Sequence, residues 1–179
     1  MALKATVHRV ELSVADLDRH YYEEHHLTLA RHPSETVERL MVRVLAFALN
    51  ADAQLAFGRG LSHEDEPALW RKSLTGDVEL WIDVGHPDER RLRRACGQAR
   101  HVKVYSYAGR ASELWWRQNE GILTRLSNLS VAALQVPDID RLVERTMKLQ
   151  CTIEGGYAWI SGGDLQCEAI VESLLGETR

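Results

Sequence analysis

Apolar and polar positions change period several times along the chain, and each change marks an element. Residues 3–14 and 20–31 are rich in β-branched and aromatic residues on either side of the charged turn Asp16-Leu17-Asp18-Arg19, which predicts an N-terminal hairpin. Ser34, after Pro33, is a candidate N-cap. Beyond it Val37, Leu40, Met41, Val44, Leu45 and Ala48 recur at i, i+3, i+4 and i+7, so an amphipathic helix is expected over 34–49. Three short strands follow at 54–60, 67–73 and 78–84, the last two joined through Thr75-Gly76. Pro87-Asp88-Glu89 opens a second helix whose stripe is Leu92, Ala95, Cys96 and Ala99. His101 to Tyr107 reads as a strand, and a third helix carries Ala111, Leu114 and Trp115 on one face. Another strand is expected over 123–134 and a short helix from Pro137 to about Val143. Residues 146–154 and 157–161 form a hairpin around Gly155-Gly156. This order predicts an α/β to α+β fold on one mixed sheet with flanking helices. Strand 101–107 should run parallel to 78–84, because a helical crossover joins them.

Strand parity brings the first candidate chemistry. Val78, Leu80, Ile82 and Val84 make one aliphatic face, while Glu79, Trp81 and Asp83 share the other. A turn centred on Thr75-Gly76 pairs residues whose numbers sum to 151. Trp70 then faces Trp81, Lys72 faces Glu79, and Glu66 falls on the same face beside Asp83. On a helical wheel Glu38 sits about 100° from Val37, on the shoulder of the apolar stripe, within reach of the sheet's end. Glu38, Glu66 and Asp83 are therefore candidates for a three-carboxylate cluster, the oxygen-rich environment that Mg²⁺ (or Mn²⁺) prefers. Each also reads as a solvated helix or strand-end acid. Without a metal the three would repel, so one of them should titrate high, and removing the Asp83 charge should not weaken the fold.

Composition narrows the function classes. With 45% hydrophobic and 27% charged residues, the 179-residue chain suits one globular domain. No apolar run approaches the roughly 20 residues of a membrane span, and the first residues do not read as a signal peptide. Three widely spaced cysteines without CxxC argue against a disulfide framework or zinc ribbon. A cytoplasmic protein with no membrane partner is expected. The net charge of −4 excludes a nucleic-acid coat but not a local basic patch. Arg90, Arg91, Arg93 and Arg94 form such a run on the second helix, either a phosphate contact or a solvated helix surface. His25-His26 and His32 do not make a zinc set, because neighbouring strand residues point to opposite faces. Five tryptophans suit stacking on bases or burial in the core. No P-loop, no GxGxxG after a strand and no GxSxG occurs, so nucleotide hydrolysis, dinucleotide cofactors and serine-hydrolase chemistry have no support.

Four runs carry a resemblance: Leu29 to Thr36 (LARHPSET), Asp65 to Trp70 (DEPALW), Glu79 to Gly85 (ELWIDVG) and Asn128 to Val131 (NLSV). Together they resemble the YaeQ family of bacterial proteins over essentially the whole chain. That family is similar in fold to the PD-(D/E)XK, restriction-endonuclease-like nuclease superfamily. The resemblance implies one domain over 1–179. Its nuclease-like core is 34–107 (helix, three-strand meander, helix, strand), and hairpin additions occupy 1–32 and 123–171. It also implies roles: Glu38 as the helix glutamate, Glu66 (or Asp65) as the acid of the second meander strand, and Asp83 as the acid of the (D/E)-X-K motif. Gly85 stands where that motif has lysine. The family pattern gives the lysine the tasks of orienting the attacking water and offsetting charge. Lys72 is the first candidate replacement, with Arg91 and Gln98 behind it, and a cross-strand pair of Lys72 with Glu79 is the structural alternative. Two functions follow. One is a Mg²⁺-dependent phosphodiester hydrolase acting on nucleic acid; the other is a nuclease-fold module that no longer cleaves and binds nucleic acid or a protein.

Overall fold

Ten consecutive residues, Leu40 to Leu49, are buried on a single helix, α1 (Val37–Leu49). A helix buried all round needs apolar partners on every side, and a curled sheet supplies them. In the computed structural model, which describes residues 4–61 and 63–177, ten strands form one mixed sheet. In chain order they are β1 (Thr6–Asp16), β2 (Tyr21–Arg31), β3 (Leu55–Phe57), β4 (Leu69–Lys72), β5 (Val78–Val84), β6 (Ala99–Ser106), β7 (Leu129–Gln135), β8 (Thr146–Glu154), β9 (Tyr157–Gly162) and β10 (Leu165–Leu175). Their spatial order is β2-β1-β8-β9-β10-β7-β6-β5-β4-β3. The edge strands β2 and β3 meet on either side of α1: the Phe47 ring lies 4.9 Å from His25 of β2 and 5.6 Å from Phe57 of β3. The sheet is thus a nearly closed, barrel-like wrap around α1.

The outer face carries the other two helices, α2 (Glu89–Gln98) and α3 (Arg110–Leu123), in the crossovers β5-α2-β6 and β6-α3-β7. Both crossovers join parallel neighbours, and β6 is parallel to β5 as expected. The parity of β5 divides two cores. Leu80, Ile82 and Val84 pack with α1, whereas Trp81 packs with Leu92, Trp115 and Val131 beneath α2 and α3.

Local signals explain most boundaries. Thr36, not Ser34, caps α1, its hydroxyl accepting the Arg39 N–H at 3.1 Å. Ser34 is instead bonded to His32 Nδ1 at 2.6 Å, so the helix starts later than expected. The 151 register holds for Leu69–Ile82, Trp70–Trp81 and Arg71–Leu80, and then a bulge shifts Lys72 opposite Val78. The strand expected over 123–134 begins at Leu129, because α3 runs through Leu123 and a turn follows. Of the face expected for α3, Trp115 is buried, but Leu114 is 56% exposed and Ser112 is buried instead. Residues 165–175 are not set apart as a strand by the sequence pattern. They form β10, whose pairing with β9 and β7 joins the C-terminal hairpin to the parallel strands. A 3-10 turn at Ile139–Leu142 matches the short helix after Pro137. The first residue of the expected opening strand, Leu3, lies outside the described residues.

Candidate functional site

At the C-terminal end of β5 the carboxylate of Asp83 is 4% exposed and held by an arginine. Asp88 caps α2 by accepting the Arg91 N–H at 2.8 Å, which sets the first turn of the helix above the strand end. From that turn Arg91 donates Nε to Asp83 Oδ2 and Nη2 to Asp83 Oδ1, both at 2.8 Å. This two-pronged pairing is the strong geometry for guanidinium and carboxylate. The same guanidinium donates to the Glu64 carbonyl (2.6 Å) and the Glu66 carbonyl (2.8 Å). It therefore ties the segment before β4 to the end of β5. The hydrogen bonds from Arg91 to Asp83 hold the Arg91 proton more tightly than usual.

Glu66 lines the same cleft, about 280 Å³ in volume, but an arginine also occupies its carboxylate. Oε2 accepts the Arg59 backbone N–H at 2.8 Å and Oε1 accepts Arg59 Nε at 2.7 Å. The backbone bond from Arg59, then its side chain, hold the Glu66 carboxyl below the usual range, against an opposing effect of burial. That is the opposite of the raised value a metal-free carboxylate cluster would give. A depressed pKa stabilises the fold above the unfolded glutamate range, and the gain is lost as pH falls through the folded value. Wild type should therefore lose stability below about pH 4.3 that Glu66→Gln does not lose. Urea midpoints at pH 7 and pH 3 check this, and equal acid losses in both proteins would contradict it.

The other expected site residues lie elsewhere. Glu38 borders a separate hollow of about 710 Å³ beside Glu113, Trp116 and Glu172. Arg39 and Arg43 of α1 line the Asp83 cleft, and Glu38 is turned about 100° from Arg39 on the helix. Asp65, the alternative to Glu66, pairs with Arg94 at 2.6 Å on the surface. Lys72 Nζ stands 3.5 Å from the centroid of the Trp70 ring, and the bulge gives the Glu79 partnership to Arg71 at 3.3 Å. Gln98 borders a hollow with Val78 and Glu79, at the opposite end of β5. Gly85, in the lysine's motif position, has φ +100°, a conformation that a lysine adopts only with strain. Among the described residues no group of three or more His, Cys, Asp or Glu side chains is arranged to hold a metal ion. The donor set here does not fit the Mg²⁺ that the resemblance implies, since guanidinium groups hold the oxygens a metal would need.

One acid that pattern reading passed over does face the cleft's cations. Glu35, 3% exposed, accepts Arg43 Nε (2.8 Å) and Nη2 (2.9 Å), with Arg39 Nη1 at 2.7 Å. Arg43 is itself 2% exposed and also donates to the Ala30 carbonyl at 3.0 Å. Burial lowers the Arg43 pKa, and Glu35 acts against it. The signal was an arginine between Val42 and Val44 in a helix with few other charges, but off the stripe it reads as solvated. His63 and His86 complete the rim, the His86 Nε2–H donating to the Tyr107 carbonyl at 2.9 Å.

The family model for YaeQ protein matches residues 1–171. The chain belongs to the YaeQ family. It is 46% identical over 164 residues to the "Uncharacterized protein YaeQ" of Escherichia coli (strain K12), covering 90% of this chain and 91% of that one. The YaeQ relative of Salmonella typhi is 47% identical over the same length and shares. The crystal structure of the YaeQ protein from Xanthomonas axonopodis pv. citri superposes with a TM-score of 0.93 at 45% identity, over 97% of this chain and 99% of that chain. The YaeQ structure from Pseudomonas syringae gives 0.89 at 39% identity, over 97% of each chain. At these scores the YaeQ architecture is common to all three. No helix among the described residues is long and apolar enough to cross a membrane.

Proposed function

We propose that this YaeQ-family chain is a non-cleaving nucleic-acid-binding module of the bacterial cytoplasm, built on a restriction-endonuclease-like frame. The order α1, β3, β4, β5, α2, β6 supports that frame, because it repeats the helix, meander, helix, strand order of the resemblance. The observation that carries the non-cleaving reading is the Arg91 pairing. The guanidinium engages both oxygens of the motif acid Asp83, so the charge a metal would neutralise is already neutralised. With Gly85 in the lysine's place and Glu38 on another hollow, the remaining parts of the nuclease pattern are dispersed. Binding is assigned to α2, where Arg90 and Arg94 lie one turn apart on an exposed face beside the cleft.

Incubation with single-stranded, double-stranded and branched DNA and RNA in Mg²⁺ or Mn²⁺ should give no cleavage. Fluorescence anisotropy with the same labelled substrates should show salt-sensitive binding. Metal-dependent cleavage that disappears in Asp83→Ala would overturn the non-cleaving reading in favour of the hydrolase.

A further inference from the structure

Arg91, Glu64 and Pro87, which line the acid cleft, also line a neighbouring hollow of about 520 Å³ that is rich in hydrogen-bond donors. Its floor is Trp81, 3% exposed and the one buried residue of its lining. The indole Nε1–H of Trp81 is buried without a hydrogen-bond partner. A buried donor left unpaired is costly, so its environment calls for an acceptor. Arg90, Arg91 and Arg94 of α2 stand around this floor. Arg90 enters no ion pair among the described residues. Among the described residues Arg94 is ion-paired only with Asp65, with side chains 53% and 76% exposed, a surface pairing of the weak kind.

We propose that this hollow binds a phosphoryl group, free or carried on a nucleic acid, between the Arg90 and Arg94 guanidiniums and over the Trp81 indole N–H. The donors select the ligand: an indole N–H and guanidinium forks call for a compact group with several acceptor oxygens. Two carboxylates share the hollow. Asp88 is engaged as the cap of α2, accepting the Arg91 N–H, and Glu64 is exposed at the rim. Recognition therefore comes from directed donors more than from net charge, which favours a phosphate oxyanion over chloride. Where the phosphate belongs to nucleic acid, the inference rests on the binding role proposed above, and the hollow gives α2 its contact point.

The test follows the indole N–H resonances of the ¹⁵N-labelled full-length protein during titration with inorganic phosphate at constant ionic strength. Trp81→Phe assigns its signal; if that variant does not fold, single substitutions of the other four tryptophans assign it by elimination. A saturable downfield movement of the Trp81 signal with phosphate and not with chloride is expected. In Arg90→Ala/Arg94→Ala the apparent affinity should fall at least ten-fold. A 5′-phosphorylated oligonucleotide and its unphosphorylated twin separate the sources. A shift with the first alone means a terminal phosphate, and equal shifts mean backbone phosphates. An unmoved Trp81 signal with phosphate and both oligonucleotides overturns the phosphate site, even where anisotropy shows nucleic-acid binding elsewhere. A phosphate response without oligonucleotide binding keeps the site and removes the nucleic-acid role.

Discussion

Glu35→Ala should lose about 3–5 kcal/mol of stability, the usual consequence of leaving a buried charge without its partner. Arg43, 2% exposed in the wild-type fold, keeps its positive charge in that variant, since a guanidinium does not deprotonate at accessible pH. Arg39, which shares Glu35 Oε1 with Arg43, is left beside it as a like charge. For a chain of this size the loss is a fall in melting temperature of roughly 6–20 °C. Glu35→Leu combined with Arg43→Met removes both charges and keeps apolar volume, so most of the loss should be recovered. Denaturant midpoints of wild type, Glu35→Leu, Arg43→Met and the double variant form the decisive cycle. Additive losses in the double variant would show that the two side chains are not coupled.

Why Glu35 and Arg43 sit in the interior follows from the sheet's closure. A stripe of Val37, Leu40, Met41, Val44, Leu45 and Ala48 marks one buried face, and that much was legible from the 3.6-residue period. The opposite face of α1 is buried only because β2 and β3 curl to meet across Phe47, a contact between residues far apart in sequence. Arg43 therefore reads as solvated along the chain and is interior in the fold. The short-range signals behaved differently. Alternation in β5 separated Leu80, Ile82 and Val84 from Trp81 onto the two faces now seen, and Asp83 meets Arg91 of α2. The 151 register placed Trp70 against Trp81, and their rings lie 6.5 Å apart. It failed at Lys72, where a bulge inserts a residue that no pattern announces. β10 also escaped, since its burial alternates only over part of its length.

Asp83 was legible as a special residue, but its chemistry was not. Parity identified a carboxylate on a covered face that needs a partner, and a helix residue eight positions along the chain supplies it. The partner reverses the sign of the expectation drawn from a repelling cluster. Asp83→Asn no longer relieves repulsion; it removes the anion from Arg91, which also anchors the carbonyls of Glu64 and Glu66. Hydrogen bonds to charged groups contribute about 1.5–3 kcal/mol, so Asp83→Asn should lose that much and melt roughly 3–12 °C lower.

Thermal melts of wild type and Asp83→Asn, each titrated with Mn²⁺, test the central claim that an arginine holds this site and a metal does not. The account predicts the lower melting temperature of the variant without metal, and no Mn²⁺-dependent shift that distinguishes the two proteins. A metal site at ten times its dissociation constant gains about 1.4 kcal/mol by mass action, a rise of roughly 3–6 °C. Such a rise in wild type that vanishes in Asp83→Asn, with the apo variant as stable as wild type, would contradict it.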